Sequence, residues 1–362
     1  MPASADFAGM RRRLLDWYDR AARRLPWRLP PGAAGRADPY AVWLSEVMLQ
    51  QTTVAAVLGY FETFVTRWPT VADLAAAPDA EVMAAWAGLG YYARARNLLA
   101  CARVVAGPLR GRFPDTEAGL RALPGIGPYT AAAIAAIAFD RPAVVMDGNV
   151  ERVMARLFAV ETPLPTAKPR LHGLAATLTP ALRPGDYAQG VMDLGATVCT
   201  PRAPACGRCP WGAACRGRAL GIAAELPRRV LKPARPVRRG IAYLALQEGA
   251  VLVETRPERG LLGGMLGLPC GAWSEGEAHP GPPFTADWRP TGLEVRHTFT
   301  HFHLILSIET AWVPAGFAPP VGWFRKVTPA LEAALPTVMR KALKLGLSAG
   351  DCRAVTMPAK TG

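Results

Sequence analysis

No apolar run in this 362-residue chain approaches the ~20 residues that a membrane-spanning helix needs. The amino-terminal stretch MPASADFAGMRRRLL has no apolar signal core either. Together these predict a cytoplasmic or nucleoid-associated protein with no membrane partner. Acidic residues are scarce: 28 Asp and Glu face 42 Lys and Arg, leaving a net charge of +14 and a pI near 9.9. That balance favours a polyanionic partner, nucleic acid before any other. In a reducing compartment the seven cysteines are expected as metal ligands or bystanders, not disulfides. What is abundant is apolar side chain, 51% of the sequence, enough to build cores for the two domains that the length suggests.

The most informative stretch is LPGIGPYTAAAIAAIAFDRPAVVMDGNV, beginning at Leu123. Gly125 and Gly127 flank Ile126 and permit a tight turn, and Pro128 suits a first helical position. Bare amides at such a helix start attract an anion, which on this chain means a nucleic-acid phosphate. The helix that follows is too apolar for a surface, so it should cross the core and deliver Asp147, then Asn149, at its far end.

Upstream, 7–24 reads as a basic amphipathic helix with Arg11, Arg12, Arg13, Arg20, Arg23 and Arg24 on a solvated face. Asp38-Pro39 signals the next start, and 40–61 reads as one helix with a polar cluster at Gln50–Thr53. Periodicity alone sets Glu46 on the polar stripe of that helix rather than in the core. Ala87–Tyr92 is a glycine-aromatic turn followed by a helix bearing Arg94, Arg96 and Arg103, a pairing suited to stacking on or wedging between bases. Helices are expected at 150–158, 170–183 and 186–198.

Cys199, Cys206, Cys209 and Cys215 follow in the pattern C-x6-C-x2-C-x5-C. Four thiolates in one Pro- and Gly-laced loop make a metal site. Zinc ribbons usually show two C-x2-C knuckles and this loop has one, which favours a [4Fe–4S] cluster over zinc. Arg202, Arg208, Arg216 and Arg218 turn the loop toward a phosphate backbone, whereas Cys101, Cys270 and Cys352 are isolated. The Pro- and Arg-rich segment 226–239 reads as a linker. Beyond it, 241–256 reads as two strands around a Glu248-Gly249 turn, 297–313 as a β segment, and 328–345 as helix. In a strand, His301 and His303 would share a face, but no fourth ligand accompanies them and His297, so metal is not expected there. The expected layout is a helical domain (1–225), a linker (226–239), an α+β domain (240–347) and a tail (348–362).

The segments SEVMLQQT, GLGYYARARNL, LPGIGPYTA, MDGNV and the four-cysteine loop resemble the helix–hairpin–helix DNA glycosylases of the endonuclease III superfamily, and within it the adenine DNA glycosylase (MutY) branch. The resemblance covers nearly the whole chain. It implies an all-α glycosylase domain with a four-cysteine iron–sulfur loop, then an α+β Nudix-like domain. It implies a monofunctional base-excision-repair enzyme, a monomer acting on double-stranded DNA, that hydrolyses the N-glycosidic bond of adenine mispaired with 8-oxoguanine or guanine. Glu46 falls on the catalytic acid and Asp147 on the catalytic aspartate, with Asn149 beside it. Tyr129 stands where bifunctional relatives carry a Schiff-base lysine. Gln51, Thr52, Leu89 and Tyr91 match positions that fill or wedge the stack when the base is extruded, and Arg28 matches a residue near that base. In the second domain HTFTHFHL resembles an HxFSHxxL loop, which makes Phe299, Thr300 and His301 the lesion-reading triplet. GLLGGMLGLP resembles a divergent GLLxGLWEFP stretch. No RExxEE-like acidic run occurs, so nucleotide hydrolysis by this domain is not expected.

Overall fold

The computed structural model describes residues 6–230, 234–257 and 260–354, with side chains to 349. The chain divides into two compact units, Met1–Leu231 and Lys232–Gly362. Among the described residues no helix is long and apolar enough to cross a membrane.

The first unit is helical: α1 Phe7–Ala21, α2 Pro39–Leu49, α3 Val54–Arg67, α4 Val71–Ala76, α5 Asp79–Ala85, α6 Ala93–Ala106, α7 Glu117–Arg121, α8 Pro128–Phe139, α9 Gly148–Leu157, α10 Lys168–Leu178, α11 Pro184–Thr197 and α12 Arg216–Ala219. Asp38 caps α2 through the Tyr40 amide, and Pro39 opens it. The single helix expected over 40–61 is two helices. Gln50–Thr53 is the break between them, with Gln51 left-handed at φ 60° and Thr53 capping α3. No glycine or proline marks that break, so periodicity ran straight through it.

Between α7 and α8 lies a hairpin with Gly125 at φ 74°, a backbone that only glycine adopts without strain. The α8 helix is nearly all alanine and isoleucine, with Thr130–Ala136 buried. Its small side chains let α2, α7 and α11 pack directly on it. As expected, it runs through the core. It does not carry Asp147 at its end, however. It stops at the left-handed Asp140, and the non-helical residues 140–147 lead to α9, whose N-cap is Asp147. The α1 face is not uniformly solvated either: the Arg11 guanidinium donates to the carbonyls of Thr177 and Leu178.

Both ends of the expected linker, 226–239, carry structure. The Leu164 amide donates to the Arg228 carbonyl and its carbonyl accepts from the Val230 amide, and Val237–Arg239 already belong to a strand. Residues 231–233 lie outside the described residues.

The second unit contains β1 Val237–Gln247, β2 Ala250–Thr255, β3 Leu266–Gly267, β4 Ser274–Glu275, β5 Arg289–Thr298, β6 His303–Trp312, β7 Trp323–Lys326, α13 Pro329–Ala334 and α14 Thr337–Ala354. The Glu248-Gly249 turn joins β1 to β2 with both residues at positive φ, the geometry whose twist matches a hairpin. The main path of the sheet is β3-β2-β1-β6-β5, with β1 and β6 parallel. Helix α14 covers it through Val338, Met339, Ala342 and Leu343. The β segment expected over 297–313 is a hairpin, because β5 ends at Thr298 and β6 begins at His303. His301 therefore lies in the turn and does not share a strand face with His303. Residues 348–354, expected as tail, belong to α14; 355–362 and the side chain of Cys352 lie outside the described residues.

Candidate active site

A cavity of about 860 Å³ opens among α2, the Gln50–Thr53 break, the start of α8, the start of α9 and α11. Arg28, Glu46, Gln51, Thr52, Tyr129, Asp147 and Asn149 all line it, so residues spread over 120 positions converge on one space. Glu46 is buried, against the surface position that periodicity favoured. Apolar neighbours on every turn of α2 leave that helix with no polar stripe to present.

Burial pushes the Glu46 carboxyl up to about 7, opposed by a hydrogen bond from the Tyr129 hydroxyl and reinforced by the charge of Asp147. Burial raises Asp147 as well, but this carboxylate has dedicated donors. The Val150 amide lies 2.7 Å from Oδ1 and the Asn149 side-chain amide 2.9 Å from Oδ2. Asp147 is the N-cap of α9, where helix amides favour the ionised form. Burial and the two neighbouring carboxylates lift Tyr129 well above the ordinary phenol range, so it serves as a neutral donor. Arg152 holds Asn149 from behind, donating to its Oδ1 at 2.9 Å and to the carbonyls of Gly195 and Cys199 at 2.7 and 2.8 Å. Gly195 permits this packing: a Cβ there would sit 2.6 Å from that of Asn149.

Two residues of the cavity region were not singled out from sequence. Asp193, fully buried on α11, accepts from Arg23 Nε at 2.6 Å and Arg28 Nη1 at 2.8 Å and so fixes Arg28 at the cavity edge. Arg23 is consequently paired, not solvated. Gln189, also buried, lines the cavity with its side-chain carbonyl unpartnered. A lone carboxylate between Met192 and Leu194, like Glu46 among its apolar neighbours, was the available signal for Asp193.

The glycine-aromatic turn is held to the cavity's polar loop by Arg94. Its buried guanidinium donates to the carbonyls of Val47, Met48, Leu89 and Gly90 and to the Thr52 hydroxyl. Arg94 is therefore a structural clamp, not a surface partner for bases. Leu89 is buried in the core, so the ring this turn presents is Tyr91, half exposed at φ 49°. Gly125 and Gly127 are exposed at the α7–α8 hairpin, outside the cavity; Gly127 caps α8 with no side-chain bond, leaving bare amides.

Cys199, Cys206, Cys209 and Cys215 are free thiols lining one small cavity of about 30 Å³ with Arg156 and Arg218. Among the described residues no three ligating side chains converge as a single-ion site requires. Arg156, fully buried, donates to the carbonyls of Cys199, Thr200, Pro201 and Leu226 and approaches Cys199 Sγ at 3.3 Å, fixing the loop's backbone. In the second unit Phe299 is half buried while Thr300 and His301 are exposed at the β5–β6 turn.

Comparison with known proteins agrees with this architecture. Residues 44–174 match the HhH-GPD superfamily base excision DNA repair proteins, and 241–345 match the NUDIX domain. The chain is similar to the adenine DNA glycosylase of Mus musculus, at 36% identity over 94% of this chain and 78% of that one. It is similar to the human adenine DNA glycosylase at 36% over 96% and 76%. Among solved structures, a thermostable thymine-DNA glycosylase aligns with TM-score 0.53 and 30% identity over 59% of this chain and 97% of its own. An endonuclease III from a non-covalent DNA complex shares the fold, with TM-score 0.51 and 22% identity over 61% of this chain and 99% of its own. The chain belongs to the adenine DNA glycosylase family of helix–hairpin–helix base-excision-repair proteins.

Proposed function

We propose that this enzyme, a hydrolase acting on N-glycosyl bonds, removes adenine mispaired with 8-oxoguanine, and more weakly with guanine, from double-stranded DNA without strand cleavage. The observation that carries the reading is the pairing of Glu46 and Asp147 in one cavity, both buried but with different hydrogen-bond partners: the Tyr129 hydroxyl for Glu46, the Val150 and Asn149 amides for Asp147. Glycosidic cleavage needs a proton on the leaving base and negative charge beside a cationic sugar, and two carboxyls held in different environments divide those tasks. Glu46, near 7, is the acid that protonates adenine N7 and afterwards helps activate water. Asp147, raised by burial against the opposing Val150 and Asn149 donors that favour its carboxylate, stabilises the sugar cation in its ionised form. The free carbonyl of Gln189 suits the exocyclic amine of adenine, and Arg28 sits at the base's edge.

Gln51, Thr52 and Tyr91 occupy the space the extruded base leaves, and the bare amides at Gly125 and Gly127 hold a backbone phosphate. Among the described residues the cavity lining contains no lysine and Tyr129 stands at the Schiff-base position, so borohydride trapping should fail. In the second domain Phe299, Thr300 and His301 read 8-oxoguanine on the opposite strand. His301→Ala is expected to weaken that preference and leave excision intact.

Cys199, Cys206, Cys209 and Cys215 would hold a [4Fe–4S] cluster. Four thiols lining one small cavity are the donor set that such a cluster takes. Bound there, the cluster would tie the loop that presents Arg202, Arg208 and Arg216 to DNA. Metal analysis finding zinc without iron would overturn the assignment. The deciding test of function is a single-turnover assay on duplexes with adenine opposite 8-oxoguanine, guanine or cytosine, for wild type and Glu46→Gln. Equal rates on all three, or an unimpaired variant, would refute it.

A further inference from the structure

We propose that Trp273, held by Arg256, is the positioning residue that sets Phe299, and with it the Thr300-His301 tip, for reading the base opposite adenine. The proposal rests on the assignment of 299–301 as that reader. The tip is a four-residue turn closed by the Phe299 amide on the Phe302 carbonyl at 2.9 Å, with Thr300 and His301 exposed. A stack of rings lies beneath it. The rings of Trp273 and Phe299 lie 5.9 Å apart at 29°, a stacked pair. The Arg256 guanidinium covers the indole at 5.0 Å. On the remaining sides Phe299 meets His297 edge-on at 4.6 Å and Phe302 at 5.0 Å, and Arg238 caps Phe302 at 4.6 Å. Phe299 is thus the middle of a stack closed at both ends by arginine.

Two glycines make room for it. A Cβ on Gly240, in β1, would meet Trp273 Cδ1 at 2.5 Å, and one on Gly267, in β3, would press on the Arg256 methylenes at 3.2 and 3.3 Å. The stretch GLLGGMLGLP supplies no aromatic ring, and Trp273, downstream of it, supplies the one that reaches the tip. The indole N–H is buried and faces the Cys270 thiol, while Arg256 and Phe299 cover the ring's faces.

The experiment measures dissociation constants for duplexes carrying a non-cleavable adenosine analogue opposite 8-oxoguanine or guanine. Trp273→Leu should lower the 8-oxoguanine-to-guanine affinity ratio by about five- to tenfold with the guanine affinity unchanged. Trp273→Phe, which keeps a stacking ring, should retain the ratio within about twofold. Gly240→Ala, which displaces the indole without removing it, should behave as Trp273→Leu and serves if that variant misfolds. An unchanged ratio in Trp273→Leu, or equal losses in the Phe and Leu variants, would overturn the proposal. His301→Ala separates the two ideas. If it leaves the ratio unaltered, the reader assignment fails; if it lowers the ratio and Trp273→Leu does not, only the support fails.

Discussion

The cavity of the first unit and the hairpin tip of the second place their polar groups in opposite ways. Glu46, Tyr129 and Asp147 are withdrawn from water and bonded to one another or to a helix start. Thr300 and His301 stand in solvent above an apolar stack. The difference follows from the tasks. An acid that must hold its proton near neutral pH needs desolvation, whereas a reader needs reachable donors whose positions are set from below. The comparison breaks most readily at Glu46. Replacing it with Gln keeps the shape and removes the proton, so single-turnover excision should fall by about a thousandfold. Wild-type excision should decline as pH rises through about 7, where Glu46 loses its proton, and on the acid side as Asp147, raised from 3.8, gains one. A flat profile across neutrality would sever chemistry from burial.

The same desolvation predicts a gain. A carboxyl whose folded pKa lies near 7, against 4.5 when unfolded, binds more protons in the folded state between those values. Stability therefore drops as pH rises through that window and stays low above it. The cost above pH 7 is roughly 3 kcal/mol. Glu46→Gln should accordingly raise Tm at pH 8 and leave it unmoved at pH 4. Thermal melts of wild type and variant at the two pH values check this.

Arg94 shows where the sequence stopped being readable. Helix starts at Asp38-Pro39 and Gly127-Pro128, the Glu248-Gly249 hairpin and the four-cysteine loop were legible because each rests on local chemistry: a cap, a fixed φ, a positive φ or a thiol spacing. The break at Gln50–Thr53 and the burial of Glu46 were not. Both depend on partners distant in sequence: Arg94 on α6, which takes the carbonyls of Val47 and Met48, and Tyr129 on α8. Asp193 escaped for the same reason, since its two arginines lie some 165 residues upstream. Arg94→Met would keep the stem and strip buried carbonyls of their donor, at a cost of roughly 3 kcal/mol. Urea unfolding should show it, and a loss under about 1 kcal/mol would mean that water replaces the guanidinium.

The smallest effects give the finest comparison, one methyl group in each region. Ser45 is buried beside Glu46, its hydroxyl 2.8 Å from the Val42 carbonyl, and it lines the cavity. Ser45→Thr must place a methyl in packed wall or in space the base needs, which costs about 1–3 kcal/mol, read as a lower Tm or slower excision. Thr300→Ser removes a methyl from an exposed turn while keeping the hydroxyl. One methyl is worth at most about 0.8 kcal/mol even when wholly buried, so affinity for 8-oxoguanine opposite adenine should move less than about fourfold. Should Thr300→Ser prove the more damaging of the two, the tip is a close-packed surface against its target. The stack beneath it would then be the lesser part of how that base is read.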